Sequence, residues 1–254
     1  MISGKARRLR RLLGADGKTF LVALDHSVTT GAVGGLSDMG SVMRAVVLGG
    51  ADGIVTHRGS AATSMPAQRE TALVVHLSAN TALSPRPELK TRVCDPEVAA
   101  ALGADAVSAH VTLGCGPEED RAALADLGGI ARSCDRLGLP LLVMTYARTD
   151  AADAGPGVLH AARVAAELGA DIVKTAHPGD EHLAELVTSV PVPVVIAGGQ
   201  LDGSWEDFLG SAKNAMGAGV AGLCVGRRVF GSADAVDATA QLRAIVHGAH
   251  GSDG

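Results

Sequence analysis

One nine-residue phrase recurs four times along the chain, and it constrains the fold more than any other feature. In chain order the copies are "GGADGIVTH" at 49–57, "LGADAVSAH" at 102–110, "LGADIVKTA" at 168–176 and "AGVAGLCVG" at 218–226. Each copy reads as a helix end, a glycine turn and a short apolar strand, because glycine suits the left-handed cap of a helix. The repeat therefore predicts a parallel sheet built from βαβ units.

Further apolar runs bounded by glycine or proline bring the candidate strands to eight. The runs are 20–25, 53–57, 73–77, 106–111, 140–145, 171–175, 193–197 and 222–226. The segments between them, such as "GVLHAARVAAELG", have helical periodicity. This pattern over 254 residues predicts the α/β class, with one (β/α)8 TIM barrel as a single domain spanning 1–254. The alternative, a doubly wound open sheet, predicts a G-x-G-x-x-G turn where the chain reads "LDHSVTTG".

The two ends of the chain are expected to lie outside the βα repeat. The segment "GKARRLRRLLG" predicts an amphipathic helix within residues 1–18, with Leu9, Leu12 and Leu13 on one side. Its basic face could contact nucleic acid, but the net charge of −5 favours a solvated helix that covers the barrel floor. We expect the tail 247–254 to be disordered.

Composition argues against several functional classes. No apolar stretch approaches the ~20 residues of a membrane helix, and no secretory signal begins the chain, so we expect a cytoplasmic protein with no membrane or nucleic-acid partner. The cysteines are scattered and form no CxxC pair, so neither a metal site nor a disulfide framework is predicted. They are Cys94, Cys115, Cys134 and Cys224.

Polar side chains accumulate where the candidate strands end, which is where barrel enzymes have their active sites. In strand order they are Asp25-His26-Ser27, His57-Arg58, His76 with Ser78, His110, Tyr146-Ala147-Arg148, Lys174, Gly198-Gly199 and Gly226-Arg227. This is the strongest functional signal in the sequence. The histidines could hydrogen-bond to a substrate or to one another, and their spacing does not favour a metal.

Lys174 is the only one of five lysines that interrupts an apolar strand, whereas Lys90 falls in a loop. Burial disfavours the ammonium form, so we expect a lowered pKa for Lys174. A neutral amine attacks a carbonyl carbon and forms a Schiff base. The alternative interpretation is a lysine that pairs with a buried carboxylate for structural reasons.

Tyr146 and Asp25 each have two interpretations. Tyr146 ends the strand before the lysine strand, and strands lie ~4.8 Å apart, so its hydroxyl could reach Lys174 and transfer a proton. It could instead be a solvated aromatic residue at the rim. Asp25 could act as a base or could cap the following helix. The presence of Lys174 favours catalytic roles for both.

Glycines after the last two strands are typical of a barrel phosphate site. Gly198-Gly199 and Gly226-Arg227 would let backbone N–H groups, a helix N-terminus and an arginine bind the anion. The sequence therefore predicts a sugar-phosphate substrate.

Seven segments resemble the DeoC/archaeal-type class I (Schiff-base) aldolase group, in order, over roughly residues 4 to 245. They are "ALDHSVTTG", "VVHLSANTALSP", "DAVSAHVTLG", "LLVMTYAR", "GADIVKTA", "VVIAGG" and "VGRRVF". The second is most similar to the branch that contains 2-amino-3,7-dideoxy-D-threo-hept-6-ulosonate synthase. The resemblance implies that Lys174 forms the Schiff base, that Tyr146 donates a proton, that Asp25 accepts one and that no cofactor is needed.

The resemblance also implies the substrates and their contacts. The expected substrate-binding residues are Asp25, His26, Ser27, Val28, Thr29, Tyr146, Ala147, Arg148, Gly198, Gly199, Gly226 and Arg227. The substrates would be a phosphorylated ketone, either dihydroxyacetone phosphate or a deoxyketohexose phosphate, and L-aspartate semialdehyde, in aromatic amino acid or aminohydroxybenzoate biosynthesis. A homo-oligomer, in pentamer-based rings, is implied too.

Two alternatives stay open at this point. In a class I fructose-bisphosphate aldolase, Arg58 or Arg148 would bind a second phosphate. A non-catalytic barrel that binds a sugar phosphate would keep the glycine loops but would have no use for Lys174.

Overall fold

Eight parallel strands close into a barrel in the computed structural model, which describes residues 4–32, 34–67, 70–149, 154–199 and 203–248. In chain order the barrel strands are β1 Thr19–Ala23, β2 Gly53–Thr56, β3 Ala72–His76, β6 Ala106–Leu113, β7 Leu141–Ala147, β8 Ile172–Thr175, β9 Val194–Ala197 and β10 Gly222–Val225. Around the barrel their order is β1-β10-β9-β8-β7-β6-β3-β2. The prediction of a (β/α)8 barrel is confirmed, and the open-sheet alternative is wrong.

Helices follow the barrel strands and pack on the outside of the barrel. They are α1 Gly4–Leu12, α2 Ser27–Thr30, α3 Met39–Leu48, α4 Arg58–Ser64, α5 Pro96–Ala101, α6 Pro117–Leu137, α7 Gly155–Glu167, α8 Leu183–Ser189, α9 Trp205–Gly217, α10 Arg227–Phe230 and α11 Ala235–His247, with 3-10 turns at Gly34–Leu36 and Asp180–His182. Their apolar faces and the outward side chains of the strands, such as Phe20 and Val22, form the main core.

A short antiparallel hairpin interrupts the βα alternation after β3. It consists of β4 Ser78–Ala79 and β5 Thr91–Arg92, in which Ser78 pairs with Arg92 and Ala79 with Thr91. Two-residue strands have no hydrophobic period to detect, so the sequence did not predict the hairpin. It carries residues 80–90 over the carboxyl end of the barrel.

The aspartates of the repeat form hydrogen bonds that connect each βα unit to the preceding strand of the barrel. The carboxylates accept hydrogen bonds from backbone N–H groups, Asp52 from Phe20 at 2.6 Å, Asp105 from Leu73 at 2.9 Å and Asp171 from Leu141 at 2.8 Å. The backbone N–H of each aspartate donates back to the carbonyl of the same partner. Each of the four copies of the repeat has a glycine at its second position. These glycines, Gly50, Gly103, Gly169 and Gly219, all have positive φ, between 82° and 103°. The glycine interpretation is confirmed, and the aspartate role is a structural finding.

Helix α1 closes the amino-terminal floor of the barrel, as predicted. Leu12 is fully buried among the inward-facing residues of the strands. Lys5 Nζ lies 2.9 Å from Asp171 Oδ2 and Arg11 Nη1 lies 3.1 Å from Asp105 Oδ1. Both cations pair with the aspartates of the repeat; the Arg11 side chain stays solvated, at 42% exposed, whereas Lys5 is partly buried, at 21% exposed.

Helix α11 ends at His247, whose ring lies between two carboxylates. Its Nδ1 is 2.8 Å from Asp16 Oδ2, and its Nε2 is 2.7 Å from Asp52 Oδ2. The prediction of a disordered tail is therefore wrong at His247, and residues 249–254 lie outside the described residues. None of the helices in the described ranges has both the length and the apolarity to cross a membrane.

Replacing Leu12 with alanine should destabilise the protein, because it leaves a cavity between α1 and the barrel interior. We expect the free energy of unfolding to fall by about 2–5 kcal/mol in urea denaturation. Leu48→Ala, at a leucine on α3 that is 73% exposed, is the matched control and should change it by less than about 0.5 kcal/mol. Equal effects of the two substitutions would contradict the proposed packing.

Candidate active site

The two-residue alternation of the strands places one polar layer above the apolar interior of the barrel. Inward-facing apolar residues include Ala23, Val55, Val74, Met144 and Ile172. Side chains two positions later in a strand point to the same face. In the same order, the residues at those positions are Asp25, His57, His76, Tyr146 and Lys174. The strand geometry therefore gathers these five side chains at the carboxyl end.

This layer lines a cavity of about 530 Å³. The predicted site residues that line it are Asp25, His26, Thr29, Tyr146, Lys174 and Arg227. The predicted site residues that do not are Ser27, Val28, Ala147, Arg148, Gly198, Gly199 and Gly226. The structure thus brings together the three predicted catalytic residues, along with part of the predicted binding set.

The glycine loops lie beside this cavity. Gly198 and Gly199 line an adjacent cavity of about 290 Å³, and Arg227 Nη2 donates to the Gly199 carbonyl at 2.8 Å, which joins the two loops. At Gly226 a Cβ atom would come within 2.6 Å of the Ala23 carbonyl oxygen, so the close approach of β1 requires glycine there.

Lys174 is 7% exposed, and its neighbours across the sheet are Met144 on β7 and Val195 on β9. Burial, the largest single effect, works to lower the pKa of Lys174. The acidic groups of Cys224, Tyr146 and Asp25 outweigh burial and raise that pKa above its ordinary value. The expectation of a lowered pKa is therefore wrong, and the resting amine is protonated.

The carboxylate of Asp25 is ionised and faces this cation. Burial works to raise the pKa of Asp25, but His26, His76 and Lys174 together hold it well below its usual range. Its Oδ1 lies 3.3 Å from His26 Nδ1, without hydrogen-bond geometry, and Oδ2 lies 3.7 Å from His76 Nε2. Helix α2 has His26 at its N-cap position, so the capping interpretation of Asp25 is wrong.

Lys174 and Asp25 are close without forming a tight ion pair. Within the described ranges, no carboxylate oxygen lies within 4.0 Å of Lys174 Nζ, which lies 4.0 Å from Met144 Sδ and also interacts with the Cys224 thiol. A buried structural pair would require direct hydrogen bonds to offset the loss of hydration. Both charged groups therefore line the cavity without a direct ion pair between them.

The three histidines of the cavity are neutral because they are buried. Burial lowers the pKa of His76 to about 4 and that of His110 to about 3, and it also lowers the pKa of His57. His76 Nδ1 lies 2.8 Å from Ser108 Oγ, and His110 Nε2 lies 2.8 Å from Thr112 Oγ1. Their partners include protein hydroxyls, which the sequence interpretation had not considered.

Tyr146 combines features of both interpretations. Its ring is stacked on His110, with the centroids 4.5 Å apart, and its side chain is 40% exposed at the rim. It also lines the cavity and contributes to the raised pKa of Lys174. The phenol is therefore held rigidly between solvent and the buried amine.

Lys90 is a cavity residue that sequence reasoning missed. Its Nζ donates to Thr29 Oγ1 at 3.3 Å, and its side chain is half-buried. Burial lowers the pKa of Lys90, and Asp25 works against this shift. The residue precedes β5 in the unpredicted hairpin, so no strand period marked it in the sequence.

Metal-binding geometry is not found in the described part of the chain, where no three or more histidine, cysteine, aspartate or glutamate side chains are grouped to hold an ion.

A Schiff-base aldolase has the architecture seen here. A buried lysine shares a cavity at the carboxyl end of a barrel with a carboxylate and a phenol. The family model for DeoC/LacD family aldolases matches residues 19–232. The chain belongs to this family, and the protein is an enzyme of the class I aldolase type.

Two curated relatives cover almost the whole chain. The 2-amino-3,7-dideoxy-D-threo-hept-6-ulosonate synthase of Halobacterium salinarum is 40% identical over 253 residues, covering 96% of this chain and 92% of the relative. The 2-amino-4,5-dihydroxy-6-oxo-7-(phosphonooxy)heptanoate synthase of Streptomyces griseus is 38% identical over 249 residues, covering 96% and 90%. A solved Schiff-base-forming fructose-1,6-bisphosphate aldolase superposes with a TM-score of 0.87 at 28% identity, covering 96% of this chain and 100% of its own.

Acid should destabilise the protein through His76. The unfolded residue binds a proton near pH 6.5, but the folded residue does so only near pH 4, so protonation favours the unfolded chain in this window. We expect His76 to account for a loss of about 2 kcal/mol in the free energy of unfolding between pH 7 and pH 5.

Urea denaturation at the two pH values tests this expectation. His76→Gln, which cannot titrate, should reduce the pH-dependent loss by that amount. His160→Gln, at an exposed histidine on α7, should leave it unchanged. An unchanged loss in His76→Gln would refute the role of His76.

Proposed function

We propose that this enzyme joins a phosphorylated ketone to L-aspartate semialdehyde through a Schiff base on Lys174. The observation that carries the proposal is the buried Lys174 amine, which shares a 530 Å³ cavity with the ionised Asp25 and the Tyr146 phenol. An amine, a base and a proton donor are the groups that aldol chemistry through an enamine requires.

The names of the relatives' products locate the bond that those relatives form. In 2-amino-4,5-dihydroxy-6-oxo-7-(phosphonooxy)heptanoate the ketone is C6, so an aldol reaction joins C4 to C5. Cleaving that bond gives dihydroxyacetone phosphate and aspartate semialdehyde. The 3,7-dideoxyhept-6-ulosonate has the same amino acid end, but its C7 is a methyl group. The shared end supports aspartate semialdehyde as the acceptor here.

The phosphate of the donor is proposed to bind at the β9 and β10 loops. Arg227 lines the cavity, and its hydrogen bond to the Gly199 carbonyl brings the two loops together. Gly199 has a φ of +66°, which suits a loop whose backbone N–H groups turn toward an anion. These features support dihydroxyacetone phosphate or a deoxyketohexose phosphate as the donor.

Schiff-base formation is proposed to begin with a proton transfer, because the resting Lys174 is an ammonium. Asp25 accepts this proton, and the free amine attacks the ketone carbon to form a carbinolamine. Asp25 then returns the proton to the departing hydroxyl group, which leaves as water. The resulting iminium withdraws electrons from the neighbouring carbon, and the charges of Lys174 and Asp25 are restored.

Carbon–carbon bond formation is proposed to use Asp25 and Tyr146 in turn. With dihydroxyacetone phosphate, Asp25 takes a proton from the donor carbon next to the iminium, which gives the enamine; with a deoxyketohexose phosphate, the three-carbon enamine would form when the bond from that carbon to the rest of the chain breaks and a phosphorylated three-carbon aldehyde leaves. The enamine carbon attacks the aldehyde while Tyr146 donates its phenolic proton to the developing alkoxide. The proton on Asp25 returns to Tyr146 through water, and hydrolysis of the iminium frees the product and Lys174.

Fructose-bisphosphate aldolase activity is the second candidate, and likeness to the solved aldolase favours it. Its acceptor carries a phosphate, for which the sequence suggested Arg58 or Arg148. Both are described residues, and neither lines the cavity. This favours the acceptor without a phosphate.

We further propose that the chain is a single domain and acts in the cytoplasm as a homo-oligomer, in pentamer-based rings, without a cofactor. The resemblance to class I aldolases supports these points, and light scattering of the purified protein tests the assembly.

Sodium borohydride should trap dihydroxyacetone phosphate on Lys174. We expect mass spectrometry to find the adduct on the peptide that contains Lys174, because reduction fixes the iminium as a stable amine. Lys174→Ala should lose the adduct and reduce turnover by roughly 10⁴-fold or more, with an unchanged circular dichroism spectrum. Lys213→Ala, at an exposed lysine on α9, should retain both. An adduct that persists in Lys174→Ala would disprove the assignment.

The choice of aldehyde should separate the two candidate functions. With dihydroxyacetone phosphate as the donor, we expect kcat/KM for aspartate semialdehyde to exceed that for glyceraldehyde 3-phosphate by at least about tenfold, since neither Arg58 nor Arg148, both described residues, lines the cavity to bind a second phosphate. A coupled assay of both aldehydes measures this ratio. The reverse preference would rule out the synthase function.

A further inference from the structure

Lys90 reaches the active site only because the β4–β5 hairpin folds over the barrel. The Asn80 side-chain amide donates to the Leu89 carbonyl at 2.5 Å and to the Arg86 carbonyl at 2.9 Å, which holds the segment closed. Thr29 Oγ1 donates to the Asn80 carbonyl at 3.2 Å and accepts from Lys90 Nζ at 3.3 Å. The ammonium is therefore held in place by a defined set of contacts.

The charge of Lys90 is poorly compensated. Within the described ranges, its ammonium forms no ion pair, and its hydrogen-bond partner is the neutral hydroxyl of Thr29. The pKa values of the neighbouring histidines are lowered by burial, so those rings are neutral. Among the described residues, Asp25 is the one carboxylate that lines the cavity, and it also interacts with Lys174. The described lining thus holds three cationic side chains, Lys90, Lys174 and Arg227, against the carboxylate of Asp25, so the charge of Lys90 is not balanced.

The hairpin that carries Lys90 lies across the barrel from the loops where the donor phosphate is proposed to bind, and the Lys90 ammonium reaches from it to Thr29, in the segment after β1. In the closed order of strands, β3 is opposite β9 and β6 is opposite β10. The hairpin follows β3 and is bound to β6, since Ser78 Oγ accepts from the His110 backbone N–H at 3.1 Å. A ketone bound to Lys174 with its phosphate toward Arg227 would therefore direct its new bond toward the side from which Lys90 enters the cavity.

We propose that Lys90 binds the carboxylate of the acceptor aldehyde and so selects anionic acceptors. This inference rests on the proposed function, which assigns an amino acid aldehyde to the acceptor side. A single ammonium beside one hydroxyl suits a carboxylate, which accepts hydrogen bonds from both. Binding the carboxylate also supplies the negative charge that the Lys90 end of the cavity lacks.

The test compares aspartate semialdehyde with its carboxamide, which has the same shape and no negative charge. The wild type should prefer the carboxylate by roughly 10- to 100-fold in kcat/KM, the range expected for a charged hydrogen bond. Lys90→Met should lose this preference, mainly through a higher KM for aspartate semialdehyde, and should leave the carboxamide unaffected. Lys90→Arg should retain part of the preference, and Lys213→Met should retain all of it.

Borohydride trapping of dihydroxyacetone phosphate separates this inference from the proposed function. Trapping on Lys174 should be the same in Lys90→Met and the wild type, because the donor does not contact Lys90. An unchanged preference in Lys90→Met, or an equal loss of activity with both aldehydes, would overturn the role of Lys90 alone. A wild type that forms the adduct but uses neither aldehyde would overturn the acceptor assignment and this inference together.

Discussion

The rest of the structure depends on one interaction, the pair of hydrogen bonds that joins each repeat aspartate to the backbone of the preceding barrel strand. Asp52, Asp105 and Asp171 each accept from and donate to the backbone of that strand, so the amino-terminal ends of neighbouring strands meet in a fixed register. The same carboxylates anchor α1 and His247 to the floor. With register set at one end, two-residue alternation decides which side chains face inward at the other.

Burial governs the electrostatics at that other end. Burial keeps His57, His76 and His110 neutral, so few charged side chains line the cavity. Those charges interact strongly, because the buried surroundings screen them less than water does. Burial works against the charged forms of Lys174 and Asp25, but Cys224, Tyr146 and Asp25 raise the pKa of Lys174, and His26, His76 and Lys174 lower the pKa of Asp25. In the resting site, the reactive Lys174 amine is therefore an ammonium, and Asp25 is the base proposed to deprotonate it.

Much of the fold and part of the site could be predicted from the sequence. Both follow from local patterns, which are the repeated glycine turn, the apolar strand and the helical periodicity of the segments between strands. Each of the eight predicted strands lies within two residues of an observed one, since strand ends are marked by glycine, proline or a polar residue. Lys174, Asp25 and Tyr146 could be identified because each is a polar residue at or just after the carboxyl end of an apolar strand. Ser27, Val28 and Arg148 were assigned to the site because the family resemblance implied them, and none of the three lines the cavity.

The amino-acid sequence alone determined the alternation of strand and helix, the barrel and the placement of a lysine inside an apolar strand, because these depend on local periodicity. Only the tertiary structure decided the raised pKa of Lys174, the neutral histidines and the entry of Lys90, because these depend on groups far apart in the chain. Lys90 and Thr29, 61 positions apart, meet through a hairpin whose pairing has no sequence period. A pKa likewise reflects every charge and every lost water around a group, which closure of the barrel brings about.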